Sequence, residues 1–240
     1  MLKNFFSVFT KNGKNEYSHT IFSPDEKLAV EINLSRGKIF YSLTRSEKSL
    51  VKKSELGLDL AGETPFGDDL SLVREQTKHV NEKWETIWGE EREITNQYTE
   101  TAFYFAEQGT TARIFTIRVR VFNNGIGFRY ELPVQPKYRQ VAVVDEKTEF
   151  NIDPNSQAWQ IPAYQFDRYE YNYEKTPVYM LENSVHTPLT IELDNGYFLS
   201  IHEAALYHYG AMTLKLNPNL SLKSDITPLS DGIKAKVLLP

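Results

Sequence analysis

The sequence predicts an all-β protein, a sandwich of two large antiparallel sheets, on three observations. Apolar and polar residues alternate in run after run, which is the period of a strand with one buried face. Gly, Asn and Asp punctuate those runs at the spacing of hairpin turns. Helical periodicity is scarce throughout the 240 residues.

Taken in order, "KLAVEINL" (27–34) and "KIFYSLTR" (38–45) are the first two runs, parted by "SRG" (35–37). "LGLDL" (56–60) is a third, shorter one. "DLSLVREQTKHV" (69–80) lacks clean alternation and is expected to form a short helix or an irregular crossing between sheets. The clearest strand is "ARIFTIRVRVF" (112–122), with Phe115, Ile117, Val119 and Val121 on one face and Thr116, Arg118 and Arg120 on the other. "NNG" (123–125) and "DNG" (194–196) read as hairpins in which Asn-Gly supplies the positive φ of a tight turn. "GYFLSIHEA" (196–204) is the last clear strand, while "GIKAKVLLP" stops with an apolar run still developing, so the chain is read as truncated. Residues 1–19 are set apart as an N-terminal extension of poor order, and 20–240 as one sandwich domain.

Composition narrows the function classes. The chain is 40% hydrophobic and 13% aromatic, which suffices for one large core. Lys and Arg number 27 against 32 Asp and Glu, with no block of either sign, which argues against a nucleic-acid surface. The absence of cysteine removes disulfides, thiolate metal sites and cysteine nucleophiles together. The apolar run Phe5 to Phe9 is shorter than the roughly 7 to 15 residues of a signal h-region, and no stretch reaches the roughly 18 apolar residues of a membrane span.

Four stretches carry candidate chemistry. "SIHEAALYHY" (200–209) places Glu203 at a strand end, on the same side as Tyr197, Leu199 and Ile201, the more apolar face. A lone carboxylate there costs several kcal/mol unless a cation or donors meet it. Two readings stand: a frayed end turned to water, or a metal or substrate site. "AWQIPAYQFDRYEYNY" (158–173) mixes Trp159 and five further aromatics with Asp167 and Arg168, which suits stacking on sugar rings as well as it suits the alternating core and rim of a sandwich. "NNGIGFRYELP" (123–133) carries Arg129, and "ETIWGEEREITNQY" (85–98) carries Trp88. The five histidines show no zinc spacing.

These stretches, with "FSPDEKLAVEI" (22–32), "SELGLDL" (54–60), "WETIWGEEREITNQYTE" (84–100), "TIRVRVFNNGIGFRYELP" (116–133), "QIPAYQFDRYEYNY" (160–173) and "GYFLSIHEAALYHY" (196–209), follow one another in the order and approximate spacing of a known domain. From about residue 20 onward the chain resembles the N-terminal domain of glycoside hydrolase family 97.

The resemblance implies a galactose-mutarotase-like β-supersandwich that precedes a catalytic (β/α)8 barrel in one polypeptide and acts with it on α-glucosidic or α-galactosidic bonds. It implies calcium beside the substrate, with Glu203 as one of its ligands. Calcium takes about 6 to 8 oxygens, most of them from the barrel, so tight retention by this chain alone is not expected. The acid and the base or nucleophile also belong to the barrel, so no catalytic residue is assigned and the chain alone is expected to be inactive. His202, Asp167, Tyr169 and Tyr171 are the candidate substrate-binding residues. Partners implied are the barrel and an α-linked oligosaccharide, with no nucleic acid or membrane and with self-association through an exposed barrel-facing surface. A periplasmic or secreted location follows from the resemblance alone. A stand-alone carbohydrate-binding module, or a mutarotase or epimerase using His202 with Glu203, are the alternative readings; adjacent strand residues point to opposite faces, which counts against the second.

Overall fold

The computed structural model describes residues 16–62, 69–107, 113–135, 139–165, 167–168, 170–207 and 209–238. The chain forms β1 (Glu16–Phe22), β2 (Leu28–Ser35), β3 (Lys38–Arg45), β4 (Lys48–Leu56), β5 (Leu58–Leu60), β6 (Leu70–Glu85) and β7 (Glu93–Glu107). There follow β8 (Ile114–Phe122), β9 (Gly125–Glu131), β10 (Gln140–Glu146), β11 (Glu149–Phe150), β12 (Gln157–Gln160) and β13 (Glu174–Pro177). After one 3-10 turn at Val178–Met180 come β14 (Val185–His186), β15 (Leu189–Glu192), β16 (Phe198–Ile201), β17 (Met212–Leu216), β18 (Leu222–Ile226) and β19 (Ala235–Leu238). The class is all-β, as the alternation predicts, with the strands distributed over antiparallel sheets of three or four. No helix of the described residues is long and apolar enough to cross a membrane.

The strands fall into two compact units. The first holds β1, β2 and β6 to β9. β1 starts at Glu16, inside the segment set apart above, and pairs with β2 from Glu16↔Ser35 to Phe22↔Ala29. β6-β7-β8-β9 is a meander. Ile21, Val30 and Ile32 from the first pair and Phe103, Phe105, Phe115 and Ile117 from the meander are buried. The His19 ring lies 5.7 Å from that of Phe103, and its Nδ1 is 3.1 Å from Glu75 Oε2. Full burial of each large apolar side chain contributes about 1.5–3 kcal/mol, so this contact between layers holds the unit together.

Residues 70–80 correct the expectation of a helix or a crossing: they are the first part of β6, paired in register with β7. The register shifts between Leu72 and Arg74, and Val73, 64% exposed, is the extra residue of that bulge. A bulge inverts the alternation within the strand, and beyond it only Val80 and Trp84 interrupt the polar residues of β6, too few to leave a period that can be read. The hairpin at 123–125 forms by another route than expected. Gly125 is the first residue of β9, opposite Phe122, and is absent from the residues with positive φ.

The second unit holds most of β3 together with β4, β5 and β10 to β19. Its sheets run β19-β10-β5, β11-β18-β17-β14 and β13-β12-β15-β16. Val185, Leu189, Ile191, Leu214 and Leu222 are buried within it. Gly196, at φ +86°, makes the turn between β15 and β16 as "DNG" predicts.

Candidate functional site

The alternation of β16 carries past its last paired residue. Phe198, Ser200 and His202 are exposed, Leu199 is half-buried, Ile201 is buried, and Glu203 is half-buried on the side of Ile201. The carboxylate does not turn to water. Its Oε1 accepts the Met212 backbone N–H at 2.5 Å and its Oε2 accepts the Thr187 hydroxyl at 2.8 Å. Thr187 leaves β14 and Met212 opens β17, and these strands are paired through Val185↔Leu214 and His186↔Thr213. Thr187 Oγ1 is also 3.0 Å from Met212 O; its single proton belongs with the carboxylate, the stronger acceptor. Two donors on adjacent strands thus offset the burial of the charge and fix its direction.

Each carboxylate oxygen keeps lone-pair capacity beyond its one hydrogen bond. Among the described residues no group of three or more His, Cys, Asp or Glu side chains is placed to hold a metal ion. The residues therefore fit a cation as one oriented hard-oxygen ligand of a site completed by other groups.

The edge beside this carboxylate is polar and well connected. Residues 161–163 run along β14, with His186 N–H donating to Ile161 O at 3.0 Å and Ala163 N–H to Ser184 O at 2.7 Å. They bring Tyr164, at φ +60°, to 3.3 Å from Thr213 Oγ1 and 3.4 Å from Asp225 Oδ2. Ser184 donates to the same Asp225 oxygen at 3.0 Å. Burial disfavours the Asp225 charge, but Lys215, Ser184 and Lys234 outweigh it and hold the carboxyl below the usual range. Burial alone lowers the His186 imidazole, keeping it neutral at pH 7. Of these residues the sequence pointed only to Tyr164, through its aromatic stretch.

The segment after Glu203 is tied down by a second half-buried carboxyl. Glu146 accepts the Tyr209 hydroxyl at 2.7 Å and the Thr148 hydroxyl at 2.6 Å. Burial, helped by the nearby Asp145 charge, raises the Glu146 pKa despite those two donors and Ser224. The folded state then binds this proton more tightly than the unfolded chain, so stability declines as pH rises from the ordinary carboxylate value through the raised one. Glu146→Gln removes the titration: the variant is expected to match the parent near pH 4.5 and to exceed it at pH 8 in urea unfolding. A parent whose stability is flat over that window would refute the assignment.

The other sequence candidates separate. His202 is exposed, its Nδ1 3.0 Å from the Glu203 backbone oxygen. Asp167 is exposed and accepts the Tyr171 hydroxyl at 3.1 Å, while the Arg168 guanidinium lies 4.7 Å over the Tyr171 ring. Tyr169 lies outside the described residues.

Known proteins show the same domain. A family profile described as "Glycosyl-hydrolase 97 N-terminal" matches residues 21–238. The chain belongs to that family. This glycoside hydrolase 97 N-terminal domain superimposes on a family 97 enzyme of Pseudoalteromonas sp. strain K8, solved with acarbose and with panose, at a TM-score of 0.86 and 32% identity. The match covers 92% of this chain and 33% of that one. A probable retaining α-galactosidase of Streptomyces bingchenggensis (strain BCW-1) is 26% identical over 217 residues, covering 85% of this chain and 32% of the relative. A β-arabinopyranosidase shares the fold at a TM-score of 0.82 and 18% identity. The family 97 N-terminal domain thus spans about a third of the length of these relatives.

Proposed function

We propose that the chain is the non-catalytic N-terminal sandwich of a calcium-dependent α-glycosidase, α-glucosidase or α-galactosidase, which braces a catalytic (β/α)8 barrel of the same polypeptide and lends it Glu203. The observation that carries this reading is the Glu203 carboxylate, held by donors from β14 and β17 at a strand end with lone pairs unused. Supporting it, two relatives three times as long are described as an α-galactosidase and as an enzyme solved with acarbose and panose. Calcium would supply positive charge at the substrate site. This chain's part is to orient one ligand: Thr187 and Met212 fix the carboxylate before the ion arrives, and such preorganisation lowers the cost of binding. Asp167 and Tyr171, hydrogen-bonded to each other, and His202 present polar groups to an oligosaccharide. Tyr169 is assigned to the same surface by sequence alone.

The test uses the polypeptide carrying both sandwich and barrel. Glu203→Gln is expected to weaken calcium binding, measured by titration calorimetry, by about 10- to 100-fold, and Thr187→Val by about tenfold, the scale on which such outer partners act. Unchanged calcium affinity in Glu203→Gln would defeat the assignment. The 240-residue chain alone is expected to leave 4-nitrophenyl α-glucoside and α-galactoside unhydrolysed with calcium present.

A further inference from the structure

The β6–β7 hairpin outruns its sheet. β8 accompanies β7 only from Tyr98 to Ala106, whereas β6 and β7 remain paired out to Glu85↔Glu93. Residues 81–97 are therefore a free two-stranded ribbon, an element that is marginal in water by itself. Its two faces differ. Asn81, Lys83 and Glu85 with Gln97, Thr95 and Glu93 make one polar face. Val80 opposite Tyr98 and Trp84 opposite Ile94 make the other, with the hydrogen-bonded pair Glu82 and Asn96 between them, and Ile87 and Trp88 cap the tip, 101% and 88% exposed.

Charge along the ribbon is graded. Of the five glutamates between 82 and 93, Glu85 and Glu93 lie on the polar face and pair with Arg92 and Lys83, while Glu82 on the Trp84 face and Glu90 and Glu91 at the tip leave that end acidic. At the root, on the same face as Trp84, the pairing register places Arg74, Lys78, Arg118, Arg120 and Arg129 with only Glu100 and Glu131. An element acidic at one end and basic at the other complements its own copy turned end for end, the self-complementarity that a two-fold axis requires.

We infer that two copies of this chain associate through their β6–β7 ribbons, antiparallel, with Trp84 and Ile94 near the axis and each Ile87–Trp88 tip on the partner's basic sheet face. An acidic ribbon exposing two tryptophans fits a basic, aromatic-bearing surface, and this chain carries one: the Arg120 guanidinium already lies 4.7 Å over the Tyr98 ring. The paired ribbon from Val80 to Glu85 is about 17 Å long before its tip, which makes a small interface and a weak dimer.

Sedimentation velocity of the 240-residue chain from about 1 μM to about 200 μM is the test. A monomer–dimer equilibrium that weakens in high salt, and that Trp84→Ser with Trp88→Ser shifts at least tenfold toward monomer, is expected. Both side chains are exposed, so the far-ultraviolet dichroism of the variant should be unchanged. The chain has no cysteine, so a single Asn96→Cys, near the proposed axis, is expected to be joined to its copy by a short bis-maleimide, and Asp231→Cys is not. A monomer at every concentration, as when the ribbon serves only to clasp another domain, overturns the inference, as does a dimer indifferent to the two serines.

Discussion

Glu100→Gln is expected to destabilise the domain by about 3–5 kcal/mol, the cost of breaking a buried ionic cluster from one side. Glu100 is 2% exposed and meets three cations: Lys78 Nζ at 3.1 Å, Arg118 Nη1 at 2.9 Å and Arg120 Nε at 2.6 Å. Lys78 and Arg120 are partly exposed and regain water when the charge is lost, and Arg118 keeps Glu131 at 2.7 Å, so the loss falls at the lower end of that range. For a domain of this size about 3 kcal/mol lowers Tm by about 6–12 °C. Urea unfolding at pH 7 measures it, and a change below about 1 kcal/mol would show that the cluster is held by packing rather than by charge.

The same residue contributes to the acid limb of the stability curve. Burial works against the Glu100 charge, but hydrogen bonds from Arg120, Lys78 and Arg118 outweigh it and bring its pKa down to about 2. A depressed carboxyl stabilises the fold fully above its unfolded value, near 4.5, and that contribution is lost as pH falls from there toward 2. The Gln variant, already without it, is expected to show a shallower decline over that window.

The strands that the sequence disclosed are those with one wet and one dry face. "KIFYSLTR" is β3, and "KLAVEINL" and "ARIFTIRVRVF" coincide with β2 and β8 to within two residues at either end. β6 escaped because its partner β7, not its own pattern, specifies it: its outer half touches solvent on both faces. For Glu203 the side of the strand was legible from parity, yet what satisfies the carboxylate was not. Thr187 is 16 residues away and Met212 nine, and only the β14–β17 pairing brings them together. The Glu146–Tyr209 bond spans 63 residues and left no local signal in either segment.

Gly210→Ala is the second large effect, and it joins stability to the site. A Cβ there would lie 2.6 Å from Ile226 Cγ2, 2.6 Å from Thr227 O and 3.0 Å from Lys234 O. The Ile226 methyl sits on the branched Cβ of a buried strand residue, stiff at χ1, and the two carbonyls are backbone, so none of the three gives way cheaply. Thr227 N–H donates to Ala211 O at 2.8 Å and Lys234 N–H to Val143 O at 2.8 Å, so both neighbours are pinned by their own hydrogen bonds. Such overpacking costs about 1–3 kcal/mol, and here relief comes only by moving residues 210–212. That motion carries the Met212 N–H away from the Glu203 carboxylate. The variant should therefore lose stability in urea and also lose hydrogen-exchange protection selectively at the Met212 amide. Gly127→Ala, where a Cβ has nothing within 4 Å and φ lies outside the left-handed region, is the neutral control, expected within about 0.5 kcal/mol of the parent. If Gly210→Ala behaved like that control, the close approach of Gly210 to Thr227 and Lys234 would be wrong, and with it the geometry that aims Glu203.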